Sequence, residues 1–355
     1  MLKEDFFDSR LSYLLYPLSF SYELLVRARL LAYEREIFKK NRLPGFVISV
    51  GNITLGGTGK TPAVIEIARW ARDKGYKVGI LSRGYKGVYK GWSLVSDGRE
   101  IKVSPEQAGD EPYLMARRLR GVVIAVSKNR YDAGLRIAKR YGINFFVLDD
   151  GFQHIGLKRD MDILLLDGKR PFGNKRLFPS GPLREPLDHI KRADIFLITR
   201  EKGIPKEILC MDKRDLFFAN HFPELFISPS LNIEMAAEGL KDKKIGAFAG
   251  IAAPERFKKT LEQLGAKLVF FEAFPDHHWY KEQEIERLLR LKEEKKADYL
   301  VTTEKDWIRI MDKKWNIGYI RIRLEIDNKD RFFSLINERY QRHKTHTHKS
   351  HQLDW

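Results

Sequence analysis

Apolar residues along this chain follow two rhythms. Short, nearly continuous apolar runs alternate with longer stretches in which apolar positions return every three or four residues. The run from Phe46 to Ile53 predicts a buried strand, Lys60 to Lys74 a helix, and Lys77 to Ser82 a second strand. Further strands are expected at Val122–Val126, Phe145–Leu148, Ile163–Leu166 and Ile195–Thr199, with helices at Glu106–Leu119 and Asn129–Tyr141. Strands without polar alternation are buried on both faces, so the pattern predicts an α/β fold with a mostly parallel sheet and helices on both sides.

A second βα series begins near Lys243, with strands at Ile245–Ala249, Leu268–Phe271, Tyr299–Thr302 and Tyr319–Leu324 and a helix at Ala253–Leu264. At 355 residues the chain exceeds one domain of about 150 residues. The expected division is an N-terminal helical segment over 1–42, a larger α/β unit over 43–235, a smaller α/β domain over 236–340, and a tail over 341–355. That tail carries four of the nine histidines without an apolar pattern and is expected to be unstructured. Residues 169–186 form a long loop rich in Pro, Gly and basic residues, of the kind usually tied to function.

The first segment mixes Leu, Tyr and Phe with Arg10, Arg27, Arg29, Arg35, Lys39 and Lys40, and Leu24, Leu25, Leu31 and Phe38 share one helical face. Such an amphipathic helix either lies in a membrane interface or packs on the protein's own core. Its longest uncharged stretch, Leu11–Tyr22, is too short to span a bilayer, which takes about 20 apolar residues. A net charge of +17 favours anionic partners, among them nucleotides and anionic lipid, or simply aids solubility. Nothing resembles an aromatic-basic nucleic-acid motif, so no nucleic-acid partner is expected. Cys210 is the only cysteine, which excludes an intrachain disulfide and fits a reducing compartment.

Chemistry concentrates where the first strand meets the first helix. Gly51-Asn52-Ile53-Thr54-Leu55-Gly56-Gly57-Thr58-Gly59-Lys60-Thr61-Pro62 has the strand–loop–helix context of a phosphate loop, so a P-loop NTPase-like sheet is expected. Backbone N–H groups of Thr54, Leu55, Gly56, Gly57, Thr58 and Gly59 would cradle the phosphates of ATP, with Lys60 reaching the outer ones and the Thr61 hydroxyl holding Mg²⁺. Thr54 stands where the usual pattern has glycine, which makes the loop a variant. Asp149 and Asp150 end the strand Phe145–Leu148 and are candidates for the same Mg²⁺. Gln153 and His154 follow just past that strand end, where ligands sit in such sheets. From spacing alone, Gly109-Asp110-Glu111-Pro112 is a pair of first-turn charges, and Pro275-Asp276-His277-His278-Trp279 is a loop that can bind metal, act as a base or be exposed.

Together these segments resemble the tetraacyldisaccharide 4'-kinases of lipid A biosynthesis, from about residue 10 to about 330. The likeness also rests on Ser82-Arg83-Gly84-Tyr85, Pro182-Leu183-Arg184-Glu185-Pro186, Phe248-Ala249-Gly250-Ile251 and Thr303-Glu304-Lys305-Asp306. The resemblance implies MgATP-dependent phosphorylation of the 4'-hydroxyl of tetraacyldisaccharide 1-phosphate by a peripheral enzyme at the cytoplasmic face of the bacterial inner membrane. No obligate protein partner is expected. It makes Asp110 the general base paired with His277, adds Glu185 to Asp149 and Asp150 as a magnesium candidate, and puts Asn52, Arg83, Gln153, His154, Arg130 and Arg184 on the substrate side, with the two arginines holding anionic groups. The rival is a membrane-associated switch ATPase of the partitioning type. Those proteins carry lysine where this chain has Leu55.

Overall fold

The computed structural model describes residues 7, 9, 11–85, 87–89, 91–200, 203–209, 215–310 and 315–352, with side chains described as far as residue 345. Cys210 lies outside these residues. A turn of helix at Leu11–Leu14 leads into helix α1 (Tyr16–Glu34). The larger α/β series is β1 (Phe46–Asn52), α2 (Lys60–Asp73), β2 (Val78–Ser82), β3 (Trp92–Asp97), α3 (Asp110–Arg118), β4 (Val123–Ser127), α4 (Arg130–Tyr141), β5 (Phe145–Asp149), β6 (Met161–Asp167), β7 (Ile195–Thr199) and β8 (Asp215–Ser228). After β9 (Ile233–Ala236) comes the second series: β10 (Lys244–Ala249), α5 (Pro254–Gln263), β11 (Lys267–Ala273), α6 (Glu282–Glu294), β12 (Tyr299–Thr303), α7 (Glu304–Ile310), β13 (Gly318–Ile326) and α8 (Lys329–Gln352).

All strands join one sheet in the order β11-β10-β12-β13-β8-β7-β6-β1-β5-β2-β4-β3, with β9 added to β8. The pairs are parallel except β8–β13, β3–β4 and β8–β9. Alternation along β1 explains its central place. Phe46, Ile48 and Val50 enter one core with Ala63 and Ile67 of α2, while Val47 enters the opposite core with Ala133 and Ile137 of α4. The periodicity of the sequence thus translates into two helical layers around a sheet buried on both sides.

β3, β8 and β9 are the strands that apolar runs do not predict. β8 interrupts its apolar residues with Asn220, His221, Pro223 and Glu224. It pairs with β7 over Asp215–Ala219 and then with β13 over Ala219–Ile227. Pro223 has no N–H to donate, and the register with β13 shifts there, between Arg321 and Ile322. β8, which ends before the boundary expected near residue 235, thus pairs with a strand of each βα series, β7 on one side and β13 on the other.

Two local departures matter for the site. The helix expected over Glu106–Leu119 divides at Gly109, whose φ of 82° ends a capping-box turn at Pro105–Ala108 and lets α3 start at Asp110. A Cβ there would come within 2.8 Å of the Tyr85 carbonyl oxygen. The other departure is at the C-terminus, where α8 continues as helix to Gln352 instead of the expected unstructured tail. His343 Nδ1 lies 3.1 Å from Asp160 Oδ1, and its ring packs edge-on against Phe46 at 5.7 Å.

Among the described residues no helix is long and apolar enough to cross a membrane. α1 is seated on the 168–190 loop by polar contacts: Ser19 Oγ donates to Leu177 O (2.9 Å), Tyr22 Oη donates to Arg184 O (2.9 Å), and Arg27 pairs with Asp188 (2.9 Å). Leu24, Leu25, Leu31 and Phe38, the expected apolar face, are exposed instead of packed on the core.

Phe226 anchors the join between the series. It is fully buried on β8, 4.9 Å from the Tyr299 ring, in one cluster with Ile245, Val301 and Ile320. Removing a buried Phe side chain costs about 3–5 kcal/mol. Phe226→Ala is therefore expected to lower the urea midpoint by that equivalent with an unchanged slope.

Candidate active site

The phosphate loop is shaped by backbone and braced from one side. Gly59 caps α2 with φ 91°, and a Cβ there would meet the His221 ring at 2.8 Å. Leu55 N, expected among the phosphate-cradling groups, instead donates to Pro182 O (2.7 Å), while Thr199 Oγ1 donates to Thr58 O (3.2 Å) and Arg200 Nη2 to Gly57 O (2.6 Å). The helix N-terminus and the inward N–H groups of such a turn form an anion site. Lys60 Nζ donates to Asn52 Oδ1 (3.0 Å) and lies 3.5 Å from Asp150 Oδ1.

β5 sits beside β1 in the sheet and delivers the two aspartates to the same edge. Asp150, at φ 49°, is gripped by Arg184 Nη1 at 2.9 and 3.0 Å, and its carbonyl accepts from buried Arg130 (3.1 Å). Burial opposes ionisation of Asp150, but Lys60, Arg184 and Arg130 outweigh it and hold its pKa down at about 2. Asp149 behaves in the opposite way. Burial, then Glu111 and Asp150, push it up to about 6, against a 2.8 Å hydrogen bond from Ser82.

A buried carboxyl facing like charges fits a divalent cation, which would relieve that repulsion. The Thr61 hydroxyl is buried at the start of α2, and Thr58 Oγ1 is buried without a partner. Glu185 is held by His189 Nδ1 (2.8 Å) and by Arg192, while its Oε1 is buried without a partner. Among the described residues no three His, Cys, Asp or Glu side chains converge as a metal cluster. Magnesium held through one or two carboxylates, phosphate oxygens and water needs no such cluster.

The substrate-side candidates divide. Gln153 Nε2 donates to Asn52 O (3.0 Å), which ties it to the loop strand, and its Oε1 is buried and unpartnered. His154 is half-buried; burial, then Arg130, Arg159, Arg29 and Arg83, hold it down at about 4, so it is neutral near pH 7. Arg83 is exposed at the end of β2.

Asp110 and His277, 167 residues apart, meet with Nδ1 3.0 Å from Oδ2. His277 has φ 64°, and its N–H donates to Gly250 O (3.0 Å). Burial opposes ionisation of Asp110, but the His277 hydrogen bond and the charges of Lys305 and Arg309 hold it well below the usual carboxylate range. Lys305 pairs with Glu111, and Lys60 also acts on Glu111, so this cluster faces the phosphate loop. Arg309, Lys305 and Asp306 escape a reading by motif roles. The signal for them is spacing: Asp306 and Arg309 are one helical turn apart on α7, just after Thr303-Glu304-Lys305.

A loop that gathers phosphates, strand-end acids placed beside it and an imidazole–carboxylate pair opposite are the working parts of a P-loop phosphotransferase. The family model for Tetraacyldisaccharide-1-P 4'-kinase matches residues 11–341. The Tetraacyldisaccharide 4'-kinase of Syntrophus aciditrophicus (strain SB) is 44% identical over 295 residues, 78% of this chain and 79% of that protein. That of Desulfatibacillum aliphaticivorans is 37% identical over 339 residues, 91% of each. The crystal structure of LpxK from Aquifex aeolicus, described as an "apo" form in complex with ATP at 2.2 Å, superposes with a TM-score of 0.79 and 36% identity, covering 93% of this chain and 99% of that one. The chain belongs to the tetraacyldisaccharide 4'-kinase family. That membership sets the switch-ATPase alternative aside.

His221 gives a test of the loop's surroundings. Burial, then Arg200 and Arg256, lower its pKa from 6.5 to about 4 in the folded chain. The unfolded chain then binds the extra proton between pH 6.5 and 4, so this group costs stability as pH falls through that window. His221→Gln is expected to flatten the loss of stability over that range in urea titrations.

Proposed function

We propose that this protein transfers the γ-phosphate of ATP to the 4'-hydroxyl of tetraacyldisaccharide 1-phosphate, giving lipid IVA in lipid A biosynthesis. The observation that carries the reading is the Asp110–His277 pair, assembled from distant segments and facing the phosphate loop through Glu111 and Lys60.

Phosphoryl transfer depends on positioning and charge stabilisation more than on covalent help. Lys60 and the loop N–H groups stabilise charge on the transferring phosphoryl group. The acceptor oxygen bonds to phosphorus, the bond to the ADP oxygen breaks, and the hydroxyl proton passes to the Asp110–His277 pair. With Asp110 ionised, Nδ1–H of His277 donates to it and Nε2 is left to face the hydroxyl. Thr61, Asp149, Asp150 and Glu185 are the residues that would hold magnesium, which neutralises phosphate charge. Asn52, Arg83, Arg130, Gln153, His154 and Arg184 line the substrate side. Residues 236–340, which bring His277, act as a lid that completes the site on closure.

The acyl chains of such an acceptor do not leave the bilayer, so the enzyme must reach them. The exposed Leu24, Leu25, Leu31 and Phe38, flanked by arginines, suit a peripheral position on an anionic membrane at the cytoplasmic face of the inner membrane.

Purified protein with labelled ATP, Mg²⁺ and the detergent-solubilised disaccharide 1-phosphate should yield labelled lipid; ATP hydrolysis without lipid labelling would defeat the reading. Lys60→Ala and Asp110→Ala should each lower lipid phosphorylation by about 10² or more, with the fold intact by circular dichroism. Deleting residues 1–22 is expected to weaken sedimentation with anionic liposomes at moderate salt, and unchanged partitioning would make the segment purely structural.

A further inference from the structure

Arg309 has no part in the reaction as described so far, yet it touches both sides of the acid–base pair. Its side chain is 1% exposed. Nη2 donates to Asp110 Oδ2 and lies 3.3 Å from His277 Nδ1, while Nη1 donates to Asp306 Oδ1 and Gly250 O, each at 2.9 Å. Gly250 O also receives the His277 N–H at 3.0 Å, and Gly250 N donates to Asp306 Oδ2 at 3.1 Å. The contacts close a ring. One planar fork fixes the carboxylate on α3, the carbonyl that sets the left-handed backbone of His277, and the aspartate that orients that carbonyl's residue.

This arrangement suits arginine in particular. A guanidinium offers rigid, coplanar donors and keeps its charge, whereas lysine provides a point charge that cannot span three separated acceptors. An ion pair that only stabilised the fold would not need to meet the proton acceptor itself. We propose that Arg309 is a positioning residue for phosphoryl transfer: it aligns Asp110 with the His277 loop and keeps the pair in its proton-accepting form. The proposal rests on the kinase reading above.

The charged and titratable groups facing Asp110 are His277 from the loop after β11, Arg309 and Lys305 from α7, and its neighbour Glu111, with Asp306 behind Arg309, and those facing His277 from its other side are Asp276, 3.8 Å from Nε2, and the Tyr85 ring. Removing the guanidinium takes one positive charge from this set and favours protonation of the pair. The acid limb of activity must then move to higher pH.

The test compares R309M and R309K with wild-type enzyme in lipid phosphorylation, recording kcat, KM for both substrates and the pH profile of kcat/KM. A wild-type enzyme that labels no lipid defeats the kinase reading and this proposal with it; with active wild type, the variants judge Arg309 alone. R309M is expected to lose about 10² in kcat with KM values within about threefold, and its acid limb should rise by about one pH unit or more. R309K should lose about tenfold in kcat while its limb stays near that of wild type, because charge is retained and the fork is lost. For R309M, a kcat within about threefold of wild type or an unmoved acid limb overturns the proposal. If R309M does not fold by circular dichroism, R309K decides: wild-type kcat overturns the proposal, and reduced kcat with unchanged KM and limb upholds it.

Discussion

Everything at the working edge of this sheet depends on holding like charges together. Asp110 and Asp149 are buried and Glu111 and Asp150 part-exposed in one region, and a chain that ionised them there without compensation would pay heavily in desolvation. The structure interleaves Lys60, Arg184, Arg130, Lys305 and Arg309 among them. Asp150 and Asp110 end up firmly ionised. Asp149 is pushed towards neutrality, because burial, Glu111 and Asp150 outweigh Ser82 and Lys60. That imbalance is the physical reason Asp149 is a magnesium candidate in the proposed reaction.

The compensating cations come from separate parts of the sequence. Lys60 belongs to the phosphate loop, Arg184 to the long basic loop, and Lys305 and Arg309 to a helix of the second βα series. Arg118 of α3 makes a further pair with Glu304 at the start of that helix. Attachment of the second series is thus partly electrostatic, and the groups that attach it are neighbours of the Asp110–His277 pair.

Much of this was legible in the chain. The parallel core strands, the loop at Thr54–Thr61 and the carboxylates ending β5 follow from local rules of periodicity and turn chemistry. β8 was not legible, because its polar residues and Pro223 break the apolar pattern while two different neighbours supply its pairing. The helical C-terminal segment escaped too, since the order at His343 comes from Asp160 and Phe46, remote in sequence. Spacing alone read Asp110 as an ordinary first-turn charge. Its burial against His277 and Arg309 is a tertiary fact, and only resemblance to a family pointed to it beforehand. The residues that bear the resemblance named Lys305 and Asp306 but gave them no work, and Arg309 lay just outside that stretch.

The continuity of the sheet through β8 has a mechanical meaning. Two bodies joined by a loop swing freely, but two bodies that share a hydrogen-bonded strand move only by twisting it. Any movement of the second series relative to the loop has to be taken up within β8 and the strands paired to it. Pro223 is where that pairing is irregular, because the strand lacks a ladder N–H there.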